Sequence, residues 1–309
     1  DRGKYKRERQ RAIRAIVSEV YSPPRVTAAI KLMPELKMLP GFALDLTTKD
    51  TDGRAWDFDD AEMRKRALDR VRSERPLLLI GSPMCTAFST WQRINNLIRP
   101  KHVVDAERKR AVQHLEFSIE LYREQLRHGR YFLHEHPAHA TSWQEEAMRS
   151  LVGEQGVETA VCDQCMLGCK TLDGSPVKKP TQFLTNSPEL AKRLRVRCTG
   201  RGGVCSRPGG GVHAQCRGKV ARRAAVYDFK LCKAILVGFR EQLKADGLYK
   251  DGFVGILEDR GEATGLVPVL HLSASDGSIM RVQLQDNEVF KDDLTGQLLP
   301  PDLVRAARK

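Results

Sequence analysis

Two segments of the sequence place residues that can do covalent chemistry at the ends of apolar runs. In LLLIGSPMCTAFS (77–89) the run stops at Gly-Ser-Pro, and Cys85 follows on a stiff turn. A thiol so placed becomes a nucleophile when nearby positive charge or a helix N-terminus lowers its pKa; otherwise it is a small buried hydrophobe. In YFLHEHP (131–137) the next run ends at Glu135, which predicts a carboxylate beside Cys85 across a parallel sheet. His134 and His136 alternate and are read as unable to share one strand face, so the competing use of this segment is a metal held by one of them with His139. A third acid, Asp45, ends FALDL (42–46). Open sheets place a carboxylate there to accept the ribose hydroxyls of a nucleotide-like cofactor, an exposed strand-end acid being the alternative.

Charge and cysteines mark a second region. The net charge is +13, and residues 192–223 carry ten Lys or Arg and no Asp or Glu, with glycines between them. An acid-free, glycine-rich stretch suits a flexible loop lying against phosphates, although a solvated basic face would read the same way. Inside it, Cys198, Cys205, His213 and Cys216 form a Cys-x6-Cys-x7-His-x2-Cys set that could hold a structural zinc, with Cys162, Cys165 and Cys169 as rival ligands. Residues 1–16 lack the apolar centre of a signal peptide, and no apolar run reaches the ~20 residues of a membrane span. An intracellular, nuclear protein is therefore expected, in which the eight cysteines are ligands, a nucleophile or core residues rather than disulfides.

The elements that must position these residues follow from periodicity. Short apolar runs at Val17–Tyr21, Phe42–Leu46, Leu77–Gly81 and Tyr131–Glu135 alternate with helical patterns near 61–74 and 104–128. That alternation predicts a parallel sheet with crossover helices. A basic helix is expected over 4–18, further strands at 157–162 and Gln182–Thr185, a helix over 228–244, and short strands with a polar tail beyond 250.

Taken in order, these segments resemble cytosine-5 DNA methyltransferases, the short phage-type members above all. GSPMCTAFS resembles the family's Pro-Cys nucleophile loop, and FLHEHP its Glu-Asn-Val or Glu-Asn-Pro element. EVYSPPRVT (19–27) stands where the family has a strand and a Gly-rich cofactor loop, and Asp45 matches its acid after the second strand. CMLG (165–168), KKPTQFLTN (178–186) and AAVYDFKLCKAI (224–235) resemble the later elements, so the likeness covers residues 17–240. It extends to domains embedded in copia-like retroelement polyproteins, where a tail like DDLTGQLLPPDLVRAARK precedes the reverse transcriptase; a chain beginning at Asp1 fits that setting.

The resemblance implies an α/β, Rossmann-like, S-adenosylmethionine-dependent methyltransferase fold with a small basic target-recognition insertion. Its parts would be a basic N-terminal helix (1–16), a catalytic domain (17–185), the insertion (186–223), a closing helix (224–248) and a C-terminal extension (249–309). Cys85 would attack carbon 6 of a flipped cytosine while Glu135 holds ring nitrogen 3. Tyr21, Ser22, Pro23, Arg25, Asp45, Asp57, Phe58 and Pro83 would line the S-adenosylmethionine site, with Trp56 or Phe58 against the adenine. Ser89, Lys178, Lys179, Thr181, Arg201, Arg207 and Arg217 would meet DNA. Three departures stand out: Pro23 and Pro24 for glycines, Met84 for a proline, and His136 for an asparagine. They leave two other classes open, a catalytically silent DNA-binding module and an RNA cytosine methyltransferase.

Overall fold

Strands form where aliphatic residues run together without a helical period, and here they assemble into one mixed sheet. The computed structural model describes residues 16–90, 92–250, 253–254, 269–273, 279–283 and 291–292. The chain divides into two units, Ile16–Gln242 and a second comprising Asp1–Ala15 with Leu243–Lys309. In the larger unit, β1 (Ile16–Val20), β2 (Leu39–Leu44), β3 (Leu78–Gly81), β4 (Tyr131–Pro137), β5 (Glu158–Asp163) and β6 (Pro180–Thr185) lie in the order β2-β1-β3-β4-β6-β5. β1 pairs parallel with β2 and β3, and β3 with β4, whereas β6 runs antiparallel to both β4 and β5. The result is an α/β fold with a mostly parallel, helix-flanked sheet, compatible with a Rossmann-like arrangement.

The helices are α1 (Val26–Ile30), α2 (Ala61–Glu74), α3 (Gln92–Asn95), α4 (Lys101–Arg127), α5 (Glu146–Val152), α6 (Pro188–Leu194), α7 (Gly218–Arg223) and α8 (Phe229–Ala245). α2 starts where the Asp60 carboxylate accepts the Glu62 amide at 2.8 Å and stops where Arg75 turns left-handed at φ 50°. Its Met63, Ala67 and Val71, four apart, face the core. α4 serves two cores at once. Phe117 and Leu121 pack with Val20, Phe42, Leu44, Trp56, Phe58 and Leu79, while Leu115, Ile119 and Tyr122 pack with Phe88, Phe132 and Leu184.

Four expectations change. β6 is antiparallel because the chain between β5 and β6 carries only a 3-10 turn (Gln164–Leu167) and a bridge at Lys170 and Pro176, with no crossover helix to reverse it. Residues 188–194, expected in the basic insertion, form α6 and bury Leu190, Ala191 and Leu194. Residues 16–18 of the expected N-terminal helix belong to β1, and the remainder of that helix lies outside the described residues. Trp56 and Phe58, at 2% and 3% exposure, are core side chains with no face free for an adenine.

Beyond residue 248, β7 (Tyr249–Lys250) pairs with β8 (Phe253–Val254), and β9 (Val269–Ser273), β10 (Ile279–Gln283) and β11 (Lys291–Asp292) form an antiparallel ribbon. These agree with the expected short strands; the polar tail past Asp292 lies outside the described residues. No described helix is long and apolar enough to cross a membrane.

β3 ends in a glycine for a steric reason. A Cβ on Gly81 would sit 2.0 Å from the Tyr122 hydroxyl, and Tyr122 is fully buried with that hydroxyl 3.1 Å from His134 Nδ1. Gly81→Ala is expected to cost about 1–3 kcal/mol, the usual cost of overpacking. In a Tyr122→Phe background the additional cost should shrink, because the oxygen it strikes is gone. Urea unfolding of the two single variants and the double variant measures the coupling.

Candidate active site and nucleotide site

The Cys85 loop is held from both ends. Downstream, a 3-10 turn (Thr86–Phe88) buries Phe88 completely, and the Phe88 amide donates to the Cys85 carbonyl at 3.1 Å. Upstream, the Pro83 carbonyl accepts from Nε2 of the fully buried His136 at 3.0 Å. A carbonyl only accepts, so Nε2 carries the proton and Nδ1 accepts from the Ser142 hydroxyl at 2.7 Å. Burial pushes the His136 pKa down against the pull of Glu135, which keeps the ring neutral in this role. His136 is therefore a strut between β4 and the Cys85 loop.

Cys85 is a partly exposed free thiol. Burial and then the Glu135 carboxylate push its pKa up, while Lys179 pulls it down. The net rise differs from the lowered pKa that a helix N-terminus or an isolated cation would give. Glu135 is 7% exposed, and its Oε1 has no hydrogen-bond partner. Lys179 Nζ stands 3.6 Å from that oxygen and donates to the Ala224 carbonyl at 3.3 Å. Burial works against the lysine charge, but Glu135 and Cys85 together hold it, and its pKa rises. A thiol, a buried carboxylate with one free acceptor and a shared ammonium thus converge at the ends of β3, β4 and β6.

The second half of the site lies at the ends of β1 and β2. Glu19, fully buried in β1, accepts the Arg25 amide at 3.0 Å, the Thr27 amide at 2.8 Å, the Thr27 hydroxyl at 2.7 Å and the Ser22 hydroxyl at 3.2 Å. The Pro23–Pro24 loop is wrapped around that carboxylate. Tyr21 takes a left-handed φ of 58°, and its hydroxyl bonds His114 Nδ1 at 3.0 Å, whose Nε2 meets Asp59 at 3.0 Å. Arg25 donates to the Ala225 carbonyl at 2.7 Å and lies over the Tyr227 ring, and the Tyr227 hydroxyl meets Ser82 at 2.7 Å. Asp45 is half-buried; its Oδ1 accepts the Thr47 amide and hydroxyl, leaving Oδ2 outside the turn.

The other expected site residues divide. Cys85 and Glu135 come together with Lys179, and Pro83 backs them through His136. Tyr21, Ser22, Pro23, Arg25 and Asp45 gather at the second half, with Asp57 exposed nearby in sequence and Phe58 in the core. Lys178 and Ser89 are partly exposed, and Arg201 and Arg217 are exposed. Thr181 is fully buried with its hydroxyl taken by Gln164 at 2.9 Å, which removes it from the expected nucleic-acid contacts. Arg207 donates to the Cys165 carbonyl at 3.1 Å, an anchoring bond within the fold.

His134 and His136 do share a face, with rings 4.8 Å apart, because residues two apart in a strand point the same way. Neither belongs to a metal-competent group. Among the described residues that description fits Cys165, Cys198, Cys205 and His213, whose ligand atoms all lie within 4.8 Å of one another. Cys216, expected in the set, instead packs beside Cys169, Val177 and Ala224, because the Val177–Ala214 bridge directs the chain there. Sequence reasoning passed over Glu19, Ser82, Tyr227 and the strut role of His136. Only an acid two residues before a strand's end hinted at Glu19.

The chain matches no protein-family model and no curated protein.

Charge at the site gives a signed expectation for thiol chemistry. Cys85 alkylation by iodoacetamide should rise with pH, with its inflection above the ordinary thiol value of about 8.5. Lys179→Met removes the cation that lowers this pKa and should move the inflection up. Glu135→Gln removes the anion that raises it and should move it down. Pseudo-first-order alkylation rates of a variant with Cys85 as the monitored peptide, read by mass spectrometry, check both signs; an inflection unmoved by either change would mean the charges do not reach the thiol.

Proposed function

We propose that the chain is a DNA methyltransferase that modifies carbon 5 of cytosine through a covalent bond to Cys85. The observation that carries this reading is the pairing of a partly exposed thiol with a buried carboxylate whose Oε1 faces Lys179 at 3.6 Å but accepts no hydrogen bond. An unsatisfied buried acceptor costs roughly 1–3 kcal/mol, a cost that a donor on a bound base would offset. The order of motifs over residues 17–240 supplies the choice of reaction.

The residues present fit the cofactor the resemblance implies. Asp45 Oδ2 is available to accept a ribose hydroxyl, and Arg25 brings positive charge for a carboxylate. S-adenosylmethionine, when bound, supplies an electrophilic methyl group. The chain's own residues do the rest. Glu135 takes the exocyclic amino group and ring nitrogen 3 of a base flipped from the stack. The Cys85 thiolate forms a bond to carbon 6, pushing an electron pair towards carbon 5 and ring nitrogen 3, where a proton relayed from water through Glu135 relieves the charge. After methylation, transfer of the carbon 5 proton to water returns that pair to the ring and expels the thiolate. Lys179 stabilises the thiolate between turnovers, and His136 fixes the loop that carries it. Arg201, Arg217 and Lys178 supply phosphate contacts, so binding should weaken steeply with salt.

A second reading, the silent DNA-binding module, draws on the inward turn of the Arg25 and Thr27 amides to Glu19, which takes both from the loop's ligand side. Trapping separates the two. DNA containing 5-fluorocytosine, mixed with protein and S-adenosylmethionine, should give a denaturation-resistant adduct, because fluorine blocks the final proton loss. Cys85→Ser should abolish the adduct with DNA binding intact. Glu135→Gln should slow its formation by roughly 10²–10⁴-fold. Methylation by Cys85→Ser would overturn the mechanism, adduct on RNA alone would assign the substrate to RNA, and binding with no adduct would favour the silent module.

A further inference from the structure

We propose that Cys165, Cys198, Cys205 and His213 bind one structural zinc ion that fastens the basic segment to the sheet. The inference stands on geometry and is independent of the methyltransferase reading.

The four residues come from three places in the chain. Cys165 sits in the 3-10 turn after β5, Cys198 follows α6, and Cys205 and His213 lie on opposite strands of a small hairpin. In that hairpin the Cys205 amide donates to the Gly211 carbonyl and the His213 amide to the Gly203 carbonyl, each at 2.8 Å. Two of the ligand-to-ligand distances match those of a tetrahedral site. Zinc–sulfur and zinc–nitrogen bonds of about 2.3 and 2.0–2.1 Å place ligand sulfurs about 3.8 Å apart and a sulfur–nitrogen pair about 3.5 Å apart. Here Cys198 Sγ lies 3.9 Å from Cys205 Sγ and 3.5 Å from His213 Nε2.

Second contacts support the ligand set. Cys198 Sγ accepts from the Ser206 amide at 3.4 Å and the Ser206 hydroxyl at 3.5 Å. Such donors favour a thiolate, the form that binds metal. The Cys198 amide donates to the buried Asp163 carboxylate at 2.9 Å. Gly210 lies against Cys205, where an added Cβ would come within 2.7 Å of the cysteine Cβ, so the loop closes on the site only with glycine there.

Alternatives to zinc explain less. A disulfide between Cys198 and Cys205 needs sulfurs about 2.05 Å apart. An apolar core does not account for an imidazole nitrogen aimed at sulfur, and the loop has little else to bury: Val204 and Val212 are 46% and 67% exposed. Three thiolates and one imidazole select zinc over hard cations. With all four positions taken by protein the site is closed, hence structural rather than catalytic. It would hold Arg201, Arg207 and Arg217 on one braced loop.

Metal analysis and cobalt substitution of the full chain, purified without a His tag, test this. One zinc per chain is expected, and the cobalt form should show tetrahedral d–d bands with thiolate charge transfer. Cys165→Ser should lose most of the metal, and Cys216→Ser should keep it. His213→Cys should keep it with stronger charge transfer, which covers the case in which Cys165→Ser fails to fold. Chelation should open the loop to trypsin at Arg201 and Arg217. Zinc near zero in the wild type, metal lost from Cys216→Ser but kept by Cys165→Ser, or a Cys198–Cys205 disulfide by mass would each overturn the proposal.

Discussion

Burying a carboxylate beside a thiol is the constraint around which this site is organised. Taking one ion out of water costs several kcal/mol even after relaxation, and Glu135 is nearly inaccessible. Lys179, 3.6 Å away, supplies the compensating charge. It reaches that position because β6 runs antiparallel between β4 and β5, so the residue just before β6 arrives at the same edge where β4 ends. The odd strand in the sheet thereby delivers the cation. The same hairpin carries Cys165 to the foot of the basic segment. One change of strand direction thus serves both the Cys85, Glu135 and Lys179 group and the metal-competent cluster.

Buried acids at other strand ends work differently. Glu19 and Asp163 are each fully buried: Glu19 accepts the Arg25 and Thr27 amides, while Asp163 Oδ2 accepts the Cys198 amide and Arg197 Nε and its Oδ1 has no hydrogen-bond partner. Hydrogen bonds from amides to a carboxylate are charge-assisted and roughly twice as strong as neutral ones. Each acid therefore fixes the path of an otherwise irregular segment at the C-terminal edge of the sheet, where ligands of open sheets bind. Rigidity is concentrated beside the chemistry, and the exposed arginines extend from it.

His136 ties two neighbouring strand ends together. Neutral, fully buried and tied to Pro83 and Ser142, it braces the nucleophile loop from the neighbouring strand. An asparagine there would be shorter and would span less of that gap. In the Pro23–Pro24 loop the two rings fix the backbone, and Glu19 holds the residues that follow by their amides.

Local patterns were enough for most of the elements and for bringing Cys85 and Glu135 to neighbouring strand ends. The four-residue spacing of Met63, Ala67 and Val71 with an Asp60 cap specifies α2 over 61–74, and the apolar runs before Cys85 and Glu135 specify adjacent strand ends. These are properties of ten or twenty consecutive residues, and sequence order carries them. What the tertiary structure decided involves partners from distant segments: Lys179 rather than Lys178 at Glu135, Cys165 rather than Cys216 in the cluster, Trp56 and Phe58 in the core, Thr181 beneath the surface, Glu19 beneath its loop. Each depends on the direction and register of β6 or on which face of an element turns inward. A one-residue shift in a strand reverses its facing, and no local spacing records that shift.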